Sequence, residues 1–188
     1  MRTLRRIFSR FHLYVMWFFV AFLTVGLLFS RLNDTDEARK VVLYADVPSL
    51  RDVELAAALE GEMPEGIRMI QVHPFSYAMF DSDSLLRADL YIIPQTLVED
   101  YADGFRAIPD GLFDAEGGYR RGGELWGLKV WDAASRRGIA TDYISYPDED
   151  CWLFFNKDSL HVLSLGGTGD DAAVETARAL LNMGGDGT

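Results

Sequence analysis

Val41-Val42-Leu43-Tyr44-Ala45 is an unbroken run of apolar and β-branched residues, the pattern of a strand buried on both faces. Downstream, Pro48 and Ser49 open a helix with an apolar stripe of Leu50, Val53, Leu55, Ala56, Ala57 and Leu59, closed by Gly61 and Pro64. Gly66 leads into a second strand at 67–72, and a short helix follows around 82–87. A third strand, Asp89-Leu90-Tyr91-Ile92-Ile93, stops at Pro94. Strands and helices alternating at this spacing imply crossovers between parallel strands. The expected fold class is α/β, a single open, mainly parallel domain over 41–183 with helices on both faces of its sheet.

Beyond Pro94, residues 96–102 read as a helix capped by Thr96. Tyr119-Arg120-Arg121, the turn Gly122-Gly123 with Glu124, and the run 125–131 read as a β-hairpin. Residues 132–150 read as a polar excursion, 152–155 as a strand and 166–169 as a glycine loop. Ala173, Val174, Ala177, Leu180 and Leu181 line one side of a final helix over 170–182, and 184–188 form a tail expected to be disordered.

Upstream, residues 13–29 read LYVMWFFVAFLTVGLLF, without charge or proline. With its flanks the segment 13–32 reaches the roughly 20 residues that a helix needs to cross a bilayer. Residues 1–12 contain Arg2, Arg5, Arg6 and Arg10, whereas the far flank mixes Arg31, Arg39 and Lys40 with Asp34, Asp36 and Glu37. That asymmetry predicts a cytoplasmic N-terminus and an extracytoplasmic domain joined by a linker at 33–40. No small-x-small site follows the apolar core, so an uncleaved anchor is expected over a removed signal peptide. Membrane lipid is thus an expected partner through 13–32.

Residues 1–31 hold five arginines and no acid, leaving 13 basic against 29 acidic residues in the remainder. So acidic a domain repels phosphate backbones, and nucleic acid is not an expected partner. The single cysteine, Cys151, lies in the apolar run Cys151-Trp152-Leu153-Phe154-Phe155 and reads as a buried core residue.

Three segments carry a family resemblance. They are Ala88-Asp89-Leu90-Tyr91-Ile92-Ile93-Pro94, Leu125-Trp126-Gly127-Leu128-Lys129-Val130 and Leu153-Phe154-Phe155-Asn156-Lys157-Asp158. In this order they resemble the first lobe of the type II periplasmic, or extracellular solute-binding, proteins of ABC importers. Lys129 stands where that family usually has proline, the lipid-bearing cysteine is missing, and the length leaves room for about one lobe rather than two. The resemblance implies a reduced solute-binding domain, with a small-molecule ligand or a membrane transporter or sensor subunit as partner.

In an open parallel sheet, ligands settle beyond the carboxyl ends of the strands. Asp46, Phe75, Ser76, Tyr77, Gln95, Thr96, Trp131 and Asp132 are therefore the candidate ligand-binding residues, with His73 beside them. Their aromatic faces and polar groups suit a small organic molecule, although each is also an ordinary cap or turn residue.

Ser76, His73 and Asp81 lack a G-x-S-x-G setting, and Gly166-Gly167-Thr168-Gly169 lacks the Lys and Ser/Thr of a phosphate loop. Asp148-Glu149-Asp150 and Asp81 with Asp83 lack calcium-loop spacing, and His12, His73 and His161 lack metal-ligand spacing. No catalytic residue, metal or cofactor is expected. Two functions stay open: a membrane-anchored, extracytoplasmic solute-binding domain, or an extracytoplasmic interaction or scaffold domain without small-molecule ligand or catalysis.

Overall fold

A computed structural model describes residues 11–33, 40–63, 69–113, 117–162 and 171–184. The chain divides into two compact units, Met1–Asp36 and Glu37–Thr188. In the first, helix α1 (Phe11–Asn33) has 23 residues, about 34 Å at 1.5 Å per residue. Its window Phe11–Leu28 has a mean hydropathy of 2.0 and no buried residue, so α1 is long and apolar enough to cross a membrane. The basic segment 1–10, the linker 34–39, the glycine loop 166–169 and the tail residues 185–188 lie outside the described residues.

The second unit is built on β1 (Lys40–Ala45), which pairs in parallel with β3 (Met69–Pro74) on one side and β4 (Leu90–Pro94) on the other. Outward from β4 come β9 (Cys151–Phe155), β6 (Glu124–Asp132) and β5 (Tyr119–Arg121), with β7 (Arg137–Gly138) also on β6. A separate ribbon joins β2 (Ser49–Leu50) to β8 (Ile144–Ser145). The pairs β4–β9, β9–β6, β6–β5 and β6–β7 are antiparallel, so the sheet is mixed rather than mainly parallel. The physical reason lies between β6 and β9. Residues 133–150 contain no crossover helix, and strands joined that way return antiparallel. All five residues of β9 are buried, which is why its direction leaves no trace in its hydrophobicity.

Two apolar layers flank the sheet. Val41, Leu43, Leu90, Ile92 and Leu153 pack against Leu55 and Leu59 of α2 (Asp52–Glu60) and Ala173, Val174, Ala177 and Leu180 of α5 (Ala172–Asn182). Tyr44, Tyr91, Ile93, Trp152 and Phe154 point the other way, with Val98 and Phe105. That face is covered by shorter elements: a 3₁₀ turn (Phe75–Met79), α3 (Ser82–Arg87) and α4 (Val98–Tyr101). The expected two-sided cover is present, but the second layer is thin over β1 and β3, where Val42, Gln71 and His73 are only partly buried.

Several local expectations change. Pro48 and Ser49 do not open a helix, because Ser49 pairs with Ser145 and α2 starts at Asp52. Val53 of the supposed stripe is exposed. The second strand runs to Pro74, two residues past its expected end. The helix expected over 96–102 is a 3₁₀–α–3₁₀ series, and Thr96 is not its cap. In the expected hairpin, Gly122 and Gly123 adopt φ of 62° and 92°, a conformation that favours glycine in tight turns. A Cβ on Gly127 would come within 2.7 Å of the Phe154 ring, itself stacked on Phe105, so the close β6–β9 contact requires glycine here.

Candidate functional site

The carboxyl ends of β1, β3 and β4 lie at one edge of the sheet, where β9 begins and β6 ends. Asp46, Gln95, Thr96, Trp131 and Asp132 do gather along this edge, but the chain's own groups bond the side chains of the last four. The Glu149 carboxylate accepts the Thr96 N–H at 2.9 Å and its hydroxyl at 3.1 Å, much as a bound acid would. The Gln95 N–H donates to the Asp150 carbonyl, and Gln95 Oε1 accepts the Trp152 indole N–H at 2.7 Å. Lys129 lies 2.6 Å from Asp150 and 3.4 Å from Asp132, over the Trp152 ring. The second Asp150 oxygen accepts the Ala133 N–H.

Trp131 stacks on Tyr146 at 5.0 Å and donates to the Pro147 carbonyl. Asp132 also accepts the Ser135 hydroxyl, which, with the Lys129 ammonium, holds its carboxyl below the usual range. Asp46 is half-buried, and burial together with the nearby Glu149 charge raises its carboxyl. Burial likewise pushes the adjacent Cys151 thiol up to about 12, with Glu149, Asp150 and Asp46 adding to the shift. The crevice selected by topology is thus filled by segment 149–150.

The remaining candidates go elsewhere. Phe75 packs its ring against Tyr44, Tyr91 and Tyr101 as part of the second apolar layer. Ser76 is exposed and shares no hydrogen bond with His73. Tyr77 stacks flat on His73, with ring centroids 4.3 Å apart. Burial lowers the His73 imidazole below its usual range; Asp52 and Asp81 oppose that shift and Lys40 adds to it.

Tyr77 and His73 belong to a cavity of about 370 Å³ over the thinly covered face of β1 and β3. Its floor is Val42 and Gln71, its far wall Ser84, Leu86 and Arg87 of α3, and its base Asp89, Asp158 and His161. The Tyr44 hydroxyl, on the same face of the sheet but fully buried and outside the cavity lining, has no hydrogen-bond partner. Burial raises the Tyr44 phenol; Ser84 opposes this from nearby without reaching bonding geometry, while Asp81 and Tyr77 add to it. Leu86 in its lining is 71% exposed, and Met79 and Phe80, which precede α3, are each 87% exposed.

Two family-like segments meet at the base of this cavity in structural roles. The Asp89 carboxylate accepts the Val42 N–H at 2.8 Å and the Ser159 hydroxyl. Asn156 donates to the carbonyls of Ala88 at 2.6 Å and Leu86 at 3.0 Å, and its Oδ1 accepts the Asp158 N–H. These bonds anchor the C-terminal end of α3 to β4 and β9, and so fix the cavity wall. Three of the five acids considered for calcium have protein partners too: Asp81 caps α3 by accepting the Ser84 N–H, and Glu149 and Asp150 are bonded as above. Among the described residues no three His, Cys, Asp or Glu side chains converge as a metal set.

No family model matches the chain, and no curated protein or solved structure matches it. The likeness to solute-binding proteins therefore rests on its three sequence segments. Of the eight candidates only Tyr77 lines the cavity. The signal for the rest was the alternation Ile70-Gln71-Val72-His73, which marks a strand with one polar, open face.

Proposed function

We propose that the chain is a membrane-anchored binding domain. In this reading α1 is an uncleaved span with the arginine-rich terminus in the cytoplasm. The acidic domain stands outside and holds a small molecule in the cavity over β1 and β3, serving a transport or sensing system. The observation that carries it is the cavity of about 370 Å³ over the thinly covered face of β1 and β3, a volume in the range of small-molecule sites. The solute-binding-like segments support the same reading, and the charge asymmetry around α1 supports the orientation.

The test is a thermal-shift screen of the full chain in detergent with sugars, amino acids, short peptides and small organic ions. A stabilising compound is expected, its effect lost in Tyr77→Ala and kept in Gln95→Ala. No hit across the panel, or a hit lost only in Gln95→Ala, overturns the cavity assignment. Protease added to intact cells should remove the domain, and a protected C-terminus would reverse the topology.

One observation favours the second reading, an interaction domain with no small ligand. Met79, Phe80 and Leu86, three large apolar side chains within eight residues, stand exposed, as side chains at contact surfaces do. Crosslinking in intact membranes through a probe at position 80 should then capture a partner in fixed proportion, while an uncrosslinked chain would contradict it.

A further inference from the structure

His73 stands between the core and the outermost layer of the domain. Its imidazole lies flat on the Tyr77 ring, with centroids 4.3 Å apart and 8° between the planes. It also leans on the Tyr44 ring at 5.3 Å. Tyr44 is wholly buried, whereas Tyr77 is 39% exposed. No hydrogen bond holds the imidazole among the described residues, so contact with these two rings sets its place.

The segment that this stack holds is slight. The 3₁₀ turn Phe75–Met79 has no fully buried residue, and the side chains of Met79 and Phe80 stand in solvent. Phe75 pins the start of the turn against Tyr44, Tyr91 and Tyr101, and Tyr77 pins its middle against His73. The turn closes where the Phe80 and Asp81 N–H groups donate to the Tyr77 carbonyl at 2.9 and 3.2 Å. A segment with so few buried contacts belongs to the low end of local stability. His73 and Tyr77 both line the cavity, so parting them removes part of its wall.

A proton on His73 works against the stack. Burial is the largest influence and holds the imidazole below its usual range. Asp52 at the start of α2 and Asp81 at the cap of α3 push the other way, and Lys40 of β1 adds to the lowering. The phenols facing the ring are Tyr44 from β1 and Tyr77 from the turn. Asp83 and Arg87 of α3, with Asp89, Asp158 and His161, complete the charged and titratable lining of the cavity. An imidazole released from the stack regains water and its ordinary affinity for a proton, so acid favours release.

We propose that the His73–Tyr77 stack is an acid-operated catch on the cavity over β1 and β3, released when His73 takes up a proton, so that the turn Phe75–Met79 carries Tyr77 away from the wall.

The test is hydrogen–deuterium exchange of the full chain in detergent at pH 7.5 and 5.5, corrected for the chemical dependence of exchange on pH. The amides of Phe80 and Asp81 report the turn. In the parent they should lose protection at pH 5.5, by up to about tenfold, the ceiling for a group of ordinary value 6.5 read one unit below it. The strands at 90–94 and 151–155 should stay unchanged. His73→Phe keeps a ring to lie on Tyr77 but cannot take up a proton, and its turn should be equally protected at both pH values. Unchanged protection in the parent, or a loss shared by His73→Phe, overturns the proposal, the second outcome assigning the response to another group of the cavity. A magnetic-resonance titration of the parent gives an independent reading. The His73 and Tyr77 ring signals should shift together, with one midpoint below 6.5. A midpoint at or above 6.5 would mean that the stack holds the cation, and would also overturn the proposal. Neither measurement needs a ligand, so these outcomes are separate from those of the binding screen.

Discussion

The edge formed by the carboxyl ends of β1 and β4 and the open face of β1 and β3 are both rich in aromatic and polar side chains, yet they differ in how those groups are used. Along the edge, Thr96, Gln95, Lys129, Trp131 and Asp132 each bond to residues of the same domain, chiefly in segment 147–150. Over β1 and β3, a buried hydroxyl has no partner and large apolar side chains stand in solvent. Topology indicates where side chains converge; it does not say whether their hydrogen bonds are already spent. A binding site needs unspent capacity, and here that capacity lies on the face.

The difference can be attacked at three points. The largest effect should come from Asn156→Ala. The buried amide holds the carbonyls of Leu86 and Ala88 and the N–H of Asp158, and its loss leaves several polar groups unsatisfied where α3 meets the sheet. A loss of about 3 kcal/mol in denaturant unfolding is expected, with weakened binding in the cavity. A near-neutral result would mean that α3 is held by something else.

Asp150→Ala strikes the saturated edge instead. It removes a partner of Lys129 and the acceptor of the Ala133 N–H, so unfolding should become easier by about 1–2 kcal/mol while the cavity ligand still binds normally. Loss of ligand binding in this folded variant would move the site back to the strand ends.

The smallest effect concerns pH. Because burial lowers the folded-state value of His73 below its ordinary 6.5, the unfolded chain takes up the proton first. Stability from this residue is complete above about pH 6.5 and is lost as the pH falls through the folded value. The melting temperature of the parent should therefore drop more between pH 7.5 and 5.5 than that of His73→Gln; parallel curves would show that His73 is not buried as described.

Much of the fold was legible where local chemistry decides it. The strand at 41–45, the helix at 82–87 and the hairpin around Gly122-Gly123 follow from burial pattern and turn conformation. The direction of β9 was not legible, since Cys151 to Phe155 are buried whichever way the strand runs. Nor could the crowding of the strand ends be read, because it depends on Glu149 and Asp150 returning more than fifty residues after Gln95 and Thr96. Tyr77 was named because it follows a strand end, whereas Ser84, Leu86 and Arg87 join it in the cavity lining only through the position of α3.

Hydrogen–deuterium exchange of the full chain in detergent, with and without a stabilising compound from the screen, is the direct test of ligand placement. Slowed exchange in 69–87, with 95–96, 131–132 and 147–150 unchanged, is the expected result. Protection concentrated at the strand ends, with 69–87 unaffected, would contradict it.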